Sequence, residues 1–158
     1  MSVFAEHWSA LTAALHEAAG ADRQAPPPRP FDGALPKWTK FQRFDTALTA
    51  EAMGDPDTAL ALAACIDYRE GTLWVECVFD AEGRDSHAFD VLRSTDEHGA
   101  ADSGEFLRWD VKGSQQRAML RLVDHGAAAL PPEVAATMAI DGLKRLEAAL
   151  GEIGRAHV

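Results

Sequence analysis

The chain has 158 residues, 47% of them apolar, and a formal net charge of −10. That length supports one domain with its own core, without disulfides or metals as staples. From Asp45 to Glu105 fifteen acids face three bases (Arg69, Arg84 and Arg93), a formal −12, which weighs against a duplex-binding surface there because a phosphate backbone calls for Lys and Arg.

The start, Met1 to His7, lacks the basic residues and apolar run of a signal peptide. The longest unbroken apolar run, Ala59 to Ile66, is too short to span a bilayer. The expectation is a soluble, cytoplasmic protein forming a single domain over residues 1–158.

In chain order, Phe4, Trp8, Leu11, Leu15 and Ala18 step by four and three, one stripe of an amphipathic helix capped by Ser2 and ended by Gly20. Glu6, Thr12 and Glu17 fall off the stripe. Residues 21–36 hold Pro26, Pro27, Pro28, Pro30 and Pro36 and read as an extended linker. In the next segment Trp38, Phe41 and Phe44 interleave with Lys37, Lys40 and Arg43. Such a patch could stack on and neutralise single-stranded nucleic acid or engage a partner; the alternative is a helical turn or irregular strand with its aromatics packed inward. Thr46 to Met53 could extend it as a short helix before Gly54-Asp55-Pro56-Asp57 breaks the chain.

Ala59 to Asp80 reads as a β-hairpin. Leu60, Leu62, Ala64 and Ile66 alternate with Ala61, Ala63, Cys65 and Asp67, and after a polar turn ending in Gly71 the alternation resumes through Leu73, Val75, Cys77 and Phe79. Folded about that turn, Ile66 stands opposite Leu73, Ala64 opposite Val75, Leu62 opposite Cys77 and Leu60 opposite Phe79, so all eight share one face. The other face carries Ala61–Val78, Ala63–Glu76, Cys65–Trp74 and Asp67–Thr72. A slip of one residue would destroy the agreement. This register puts Cys65 and Cys77 on opposite faces, where they cannot bridge one another.

Asp85 or Ser86 caps a short helix carrying Phe89 and Leu92, and the polar run Asp96 to Glu105 reads as a loop. Glu105 to Val111 alternates again, Lys112 to Arg117 reads as a turn, and Ala118, Leu120 and Leu122 then face Val111, Trp109 and Leu107 in a second hairpin. Pro131-Pro132-Glu133 opens a last helix whose stripe is Ala139, Leu143, Leu146, Leu150 and Ile153, with Gly151 and Gly154 marking its end. The expected fold is α+β: an antiparallel sheet of two hairpins, with one extra strand before the first, packed with N-terminal, middle and C-terminal helices in the order α-β-β-β-α-β-β-α.

Chemistry-bearing motifs are sparse. Asp110-Val111-Lys112 has the D/E-x-K form of metal-dependent nucleases, in which acids hold a divalent ion and the lysine positions or activates water; Asp57 and Asp90 are the nominal further acids. The six histidines show no metal spacing, and no glycine-rich phosphate loop is present. Neither a cofactor nor a metal site is expected. What remains is surface for partners: the second face of the first hairpin, with Trp74, Glu76, Val78 and Ala63, is more apolar than solvent would suggest. Either a helix covers it, the favoured expectation, or Trp74 anchors a partner that the acids beside it bias toward basic character.

The helix Phe4–Ala18, the hairpin Leu60–Phe79, the helix around Phe89 and Leu92, the hairpin Phe106–Val123 and the final helix together resemble, in layout, the class I chaperones of type III secretion. That resemblance implies a dimer holding an extended effector segment on apolar patches. The same layout resembles a bacterial domain of unknown function sometimes fused to nuclease-like parts. Neither resemblance carries a site residue. The expected function is a small acidic protein-binding module (chaperone, adaptor or immunity/inhibitor protein) without catalytic activity; the alternative is a metal-dependent nuclease or nuclease-associated domain resting on Asp110 and Lys112.

Overall fold

The computed structural model describes residues 3–19, 37–40, 50, 53–96, 107–112 and 115–157. The elements are α1 (Val3–Ala19), β1 (Lys37–Lys40), β2 (Ala59–Asp67), β3 (Thr72–Asp80), α2 (His87–Asp96), β4 (Arg108–Lys112), β5 (Gln115–Val123), a 3-10 turn (Ala127–Ala129) and α3 (Pro132–His157). They form an α+β fold with the expected element order, β1 being the extra strand. The expected linker 21–36, the segment 41–49 and the loop after α2 lie outside the described residues.

All five strands are antiparallel, in the order β1-β2-β3-β5-β4. The first hairpin has the register read from its alternation, from Ala59 opposite Asp80 to Asp67 opposite Thr72. The second hairpin is shifted by two residues: Trp109 stands opposite Ala118 and Val111 opposite Gln116. The expected turn over Lys112–Arg117 is therefore too long, because β5 begins at Gln115 and only residues 113–114 separate the strands. A shift of two keeps every side chain on its expected face, so apolar alternation alone does not detect it.

Leu62, Ala64, Ile66, Leu73, Val75, Cys77, Phe79, Ala118 and Leu120 are buried in one cluster with residues of all three helices. α3 packs on β3, β5 and β2, and α1 and α2 pack on α3. The expected stripe of α3, Ala139, Leu143, Leu146, Leu150 and Ile153, is fully buried. Each Leu or Ile there contributes about 1.5–3 kcal/mol of transfer free energy. Contrary to expectation, α3 continues through Gly151 and Gly154 to His157. Both glycines are buried, and tertiary packing outweighs a helix-propensity cost of about 1 kcal/mol per glycine.

On α1 the stripe centres on Trp8, Leu11 and Leu15, while Phe4 and Ala18 at its ends are exposed. Thr12, expected off the stripe, is buried and donates its hydroxyl back to the Trp8 carbonyl at 3.0 Å, which makes its burial affordable. His7 ties α1 to two loops. Its Nε2 donates to the Leu130 carbonyl at 2.8 Å, so Nδ1 accepts from the Tyr68 hydroxyl at 2.8 Å. Burial pushes the Tyr68 phenol up, in keeping with a hydroxyl that stays protonated and donates.

α2 is capped by Ser86, whose Oγ accepts from the Phe89 N–H at 3.2 Å. Beneath the cap lies buried Asp55, whose Oδ2 accepts from Thr58 Oγ1 (2.6 Å), Ser86 Oγ (3.0 Å) and the Ala88 N–H (3.1 Å). The breaker Gly54–Asp57 thus also supplies a second acceptor for the helix N-terminus. Among the described residues no helix is long and apolar enough to cross a membrane.

Candidate functional site

The two faces of the sheet differ in kind. All three helices pack on the face of Val75 and Cys77. No helix among the described residues packs on the opposite face, so none of them is the covering helix that the sequence favours for Trp74. The single wide stripe of α3 joins the sheet to α1 and α2 in one core, so all three described helices are used on that face.

Across that second face the register sets three rows. Cys65, Trp74 and Arg121 stand side by side on β2, β3 and β5; Ala63, Glu76, Met119 and Arg108 follow, with Arg108 on β4; then come Ala61, Val78, Arg117 and Asp110. A register irregularity between Leu73 and Trp74 leaves Leu122 as an extra residue on β5, between the partners Val123 and Arg121. Such bulges increase local twist and re-aim side chains, and this one lies beside the row of Trp74.

Glu76 is the electrostatic centre. Its residue exposure is 0%, and its Oε1 accepts from Trp74 Nε1 (2.9 Å), Cys65 Sγ (3.3 Å) and Arg117 Nη1 (3.3 Å). Arg117, itself buried, reaches the other way through Nη2 to Asp110 Oδ2 at 2.7 Å. One guanidinium therefore bridges a buried and a partly exposed carboxylate, the arrangement its planar fork suits best. The hydrogen bond from Arg117 is the main reason the Asp110 carboxyl lies below the usual range; burial opposes it, and the charges of Arg117 and Arg108 reinforce it.

Beside this network lies a concavity of about 640 Å³, within the range of small-ligand pockets. Half-buried Trp74 and Met119 supply its apolar lining, and Arg108, Arg121 and His125 its basic groups. Asp67, Glu70 and Asp124 are its acids. Two turns frame it: Asp67–Thr72 between β2 and β3, and Asp124–Gly126 after β5. They are joined where the Ala127 N–H donates to the Gly71 carbonyl at 2.9 Å.

Of the residues read from sequence as a partner surface, Trp74 lines the concavity, and Glu76 lies beneath it as a buried, paired acid rather than as surface charge. Ala63 is buried and Val78 half-buried on the same face. The Asp110-Val111-Lys112 motif ends β4, with Asp110 held by Arg117. Asp90 sits on α2, across the sheet, 3.9 Å from Arg93. Among the described residues no group of three or more His, Cys, Asp or Glu is placed to hold a metal ion. In the basic–aromatic patch, Lys37, Trp38 and Lys40 lie in β1, with Trp38 opposite Ala64 and Lys40 opposite Leu62, so this part of the patch is a strand. Phe41, Arg43 and Phe44 lie outside the described residues. Both cysteines are buried and outside any disulfide, and burial pushes the Cys77 thiol far up, with Glu76 and Glu147 adding to the shift.

The sequence reading missed Arg117, Met119, Arg108 and Arg121 as site residues. The signal was there: once β5 starts at Gln115, Arg117, Met119 and Arg121 alternate onto the face of Trp74 and Glu76. No protein-family model, no curated protein and no solved structure matches this chain.

Proposed function

We propose that the protein is a small acidic protein-binding module, of the kind that chaperones, adaptors and immunity or inhibitor proteins represent, and that it engages its partner through the sheet face at Trp74, opposite the described helices. The observation that supports this reading is the placement of Trp74: a half-buried aromatic beside a 640 Å³ concavity, on a face that none of the described helices covers. Aromatic side chains in such settings are the commonest energetic anchors of protein interfaces. The indole is also fixed in advance by its bond to Glu76, which lowers the ordering cost of binding.

The chemistry around it suits binding better than catalysis. Glu76 and Asp110, the acids closest to the face, are both committed to Arg117 and so are poorly placed to move protons or hold an ion. The test is capture of a stoichiometric partner from cells that naturally express the protein, followed by reconstitution from purified components. Trp74→Ala is expected to weaken the reconstituted complex at least about tenfold, as truncating an aromatic hot spot does. A complex that forms equally well with the variant places the interface elsewhere and overturns the reading.

A further inference from the structure

We infer that the Trp74 concavity is a receptor for a basic side chain, an arginine or lysine projecting from the partner protein. This rests on the protein-binding reading above and names the chemistry of what enters. Three observations carry it.

The first is the aromatic surface. Trp74 donates its indole N–H to a carboxylate, Glu76 Oε1, at 2.9 Å. That donation leaves electron density on the ring system and strengthens the negative potential of its faces. Trp is already the best cation–π acceptor among the side chains.

The second is the balance of charge around the ring. The concavity holds two arginines and His125 against Asp67, Glu70 and Asp124. Arg121 pairs with Asp124 at 3.4 Å, and Arg108 acts on Asp110, two positions along the same face of β4. Asp67 and Glu70 remain at the hairpin end. Asp67 caps its turn by accepting the Arg69 N–H at 2.9 Å through Oδ1, and its ion pair with exposed Arg69 is long, at 3.9 Å. Glu70 is exposed beside it. The carboxylates not taken up by arginines within the concavity thus lie at the Asp67–Thr72 turn, next to the row of Trp74.

The third is the long-range field. The segment Asp45–Glu105, which contains β2, β3 and this turn, carries a formal −12, and such a field raises the association rate of a basic partner. An anionic group entering instead would meet that field and the two carboxylates of the turn.

The experiment uses the full chain and three N-acetylated, amidated hexapeptides that alternate glycine with arginine, citrulline or glutamate, titrated by calorimetry at low and physiological salt. The arginine peptide is expected to bind, the citrulline and glutamate peptides to bind at least about tenfold more weakly, and affinity to fall with salt. Trp74→Ala is expected to cost about tenfold at unchanged net charge, and Glu70→Gln, an exposed position that keeps the test decisive should the first variant fail to fold, about threefold. Arginine-peptide affinity unchanged in either folded variant shows attraction by net charge alone and overturns the inference, as does tighter binding of the glutamate peptide. Loss of the native partner in Trp74→Ala without binding of the arginine peptide leaves the protein-binding reading standing and removes only this one. Trp74-dependent binding of the arginine peptide without any protein complex does the reverse.

Discussion

Arg117 donates to Glu76 through Nη1 at 3.3 Å and to Asp110 through Nη2 at 2.7 Å, so a single side chain pairs with the only described Glu that is fully buried and ties β5 to β4 beneath the face of Trp74. The network positions the indole as well as balancing charge, because Trp74 Nε1 shares the same oxygen of Glu76. Its Nε is buried without a hydrogen-bond partner among the described residues, so the arginine is held by its two terminal nitrogens.

Removing the arginine alone should therefore be worse than removing both charges. Arg117→Met removes a charged donor from buried Glu76 and the ion pair of Asp110 together, and is expected to cost about 3–5 kcal/mol. The double variant Glu76→Gln/Arg117→Met keeps an acceptor for the indole and removes both charges of the buried pair, and is expected within about 2 kcal/mol of wild type. Asp110→Asn, at the partly exposed end, should cost under about 1 kcal/mol. Urea unfolding of the three variants decides it: an Arg117→Met chain as stable as the double variant would show that the pair does not carry the site.

Asp55 makes a second prediction, on pH. Burial by itself raises its carboxyl pKa, but hydrogen bonds from Thr58, the Ala88 N–H, Ser86 and the His87 N–H outweigh that, and the group lies below its ordinary value of 3.8. A folded-state pKa below the unfolded one means that ionised Asp55 stabilises the fold above about pH 3.8, and that this stability is lost as the pH falls through the folded value. Asp55→Asn is expected to lose about 1–3 kcal/mol at neutral pH, since one acceptor and its charge serve several buried donors. The gap between wild type and variant should close on acidification below pH 3.8. A gap that stays constant from pH 7 to pH 3 contradicts the assignment.

The legibility of this fold varied with how many neighbours had to agree. The register of β2 on β3 was readable because eight apolar positions match only one way about the Asp67–Thr72 turn, and a one-residue slip would turn Leu62 and Val75 outward. The β4–β5 pairing was readable to its faces but not to its register, because a two-residue shift leaves Trp109 and Ala118 facing the core either way. That same ambiguity hid Arg117 in a supposed turn, and with it the ion pair that governs Glu76. Trp74 could be named as a candidate anchor from alternation alone. Whether a helix covered it could not, because an apolar stripe such as that of α3 says that a helix docks and not on which face. Gly151 and Gly154 misled for a related reason: a glycine is a stop signal only where packing does not hold the helix together on both sides of it.

Gly71 closes the turn that frames the concavity, and it makes the sharpest test of how rigid that frame is. Its φ is +73°, a left-handed conformation that glycine adopts without penalty and other residues adopt at a cost of about 1 kcal/mol. A Cβ added there would also lie 2.7 Å from the backbone nitrogen of Gly126, in the turn that carries Asp124 and His125. Backbone cannot step aside as a side-chain tip can, so Gly71→Ala must push the two turns apart and strain the bond from the Ala127 N–H to the Gly71 carbonyl. Gly83 is the control, with φ +85° and nothing within 4 Å of the added carbon. Gly83→Ala should cost only the conformational penalty of about 1 kcal/mol, and Gly71→Ala about 2–4 kcal/mol once the overlap is added. Thermal and urea unfolding of the two variants measures the difference directly. Equal losses would mean that the turns around Trp74 are loosely joined and that the concavity is shaped by its ligand. A clear excess at Gly71 would mean that the pocket is built before anything enters it, which is the condition under which an indole held by Glu76 can act as a ready anchor.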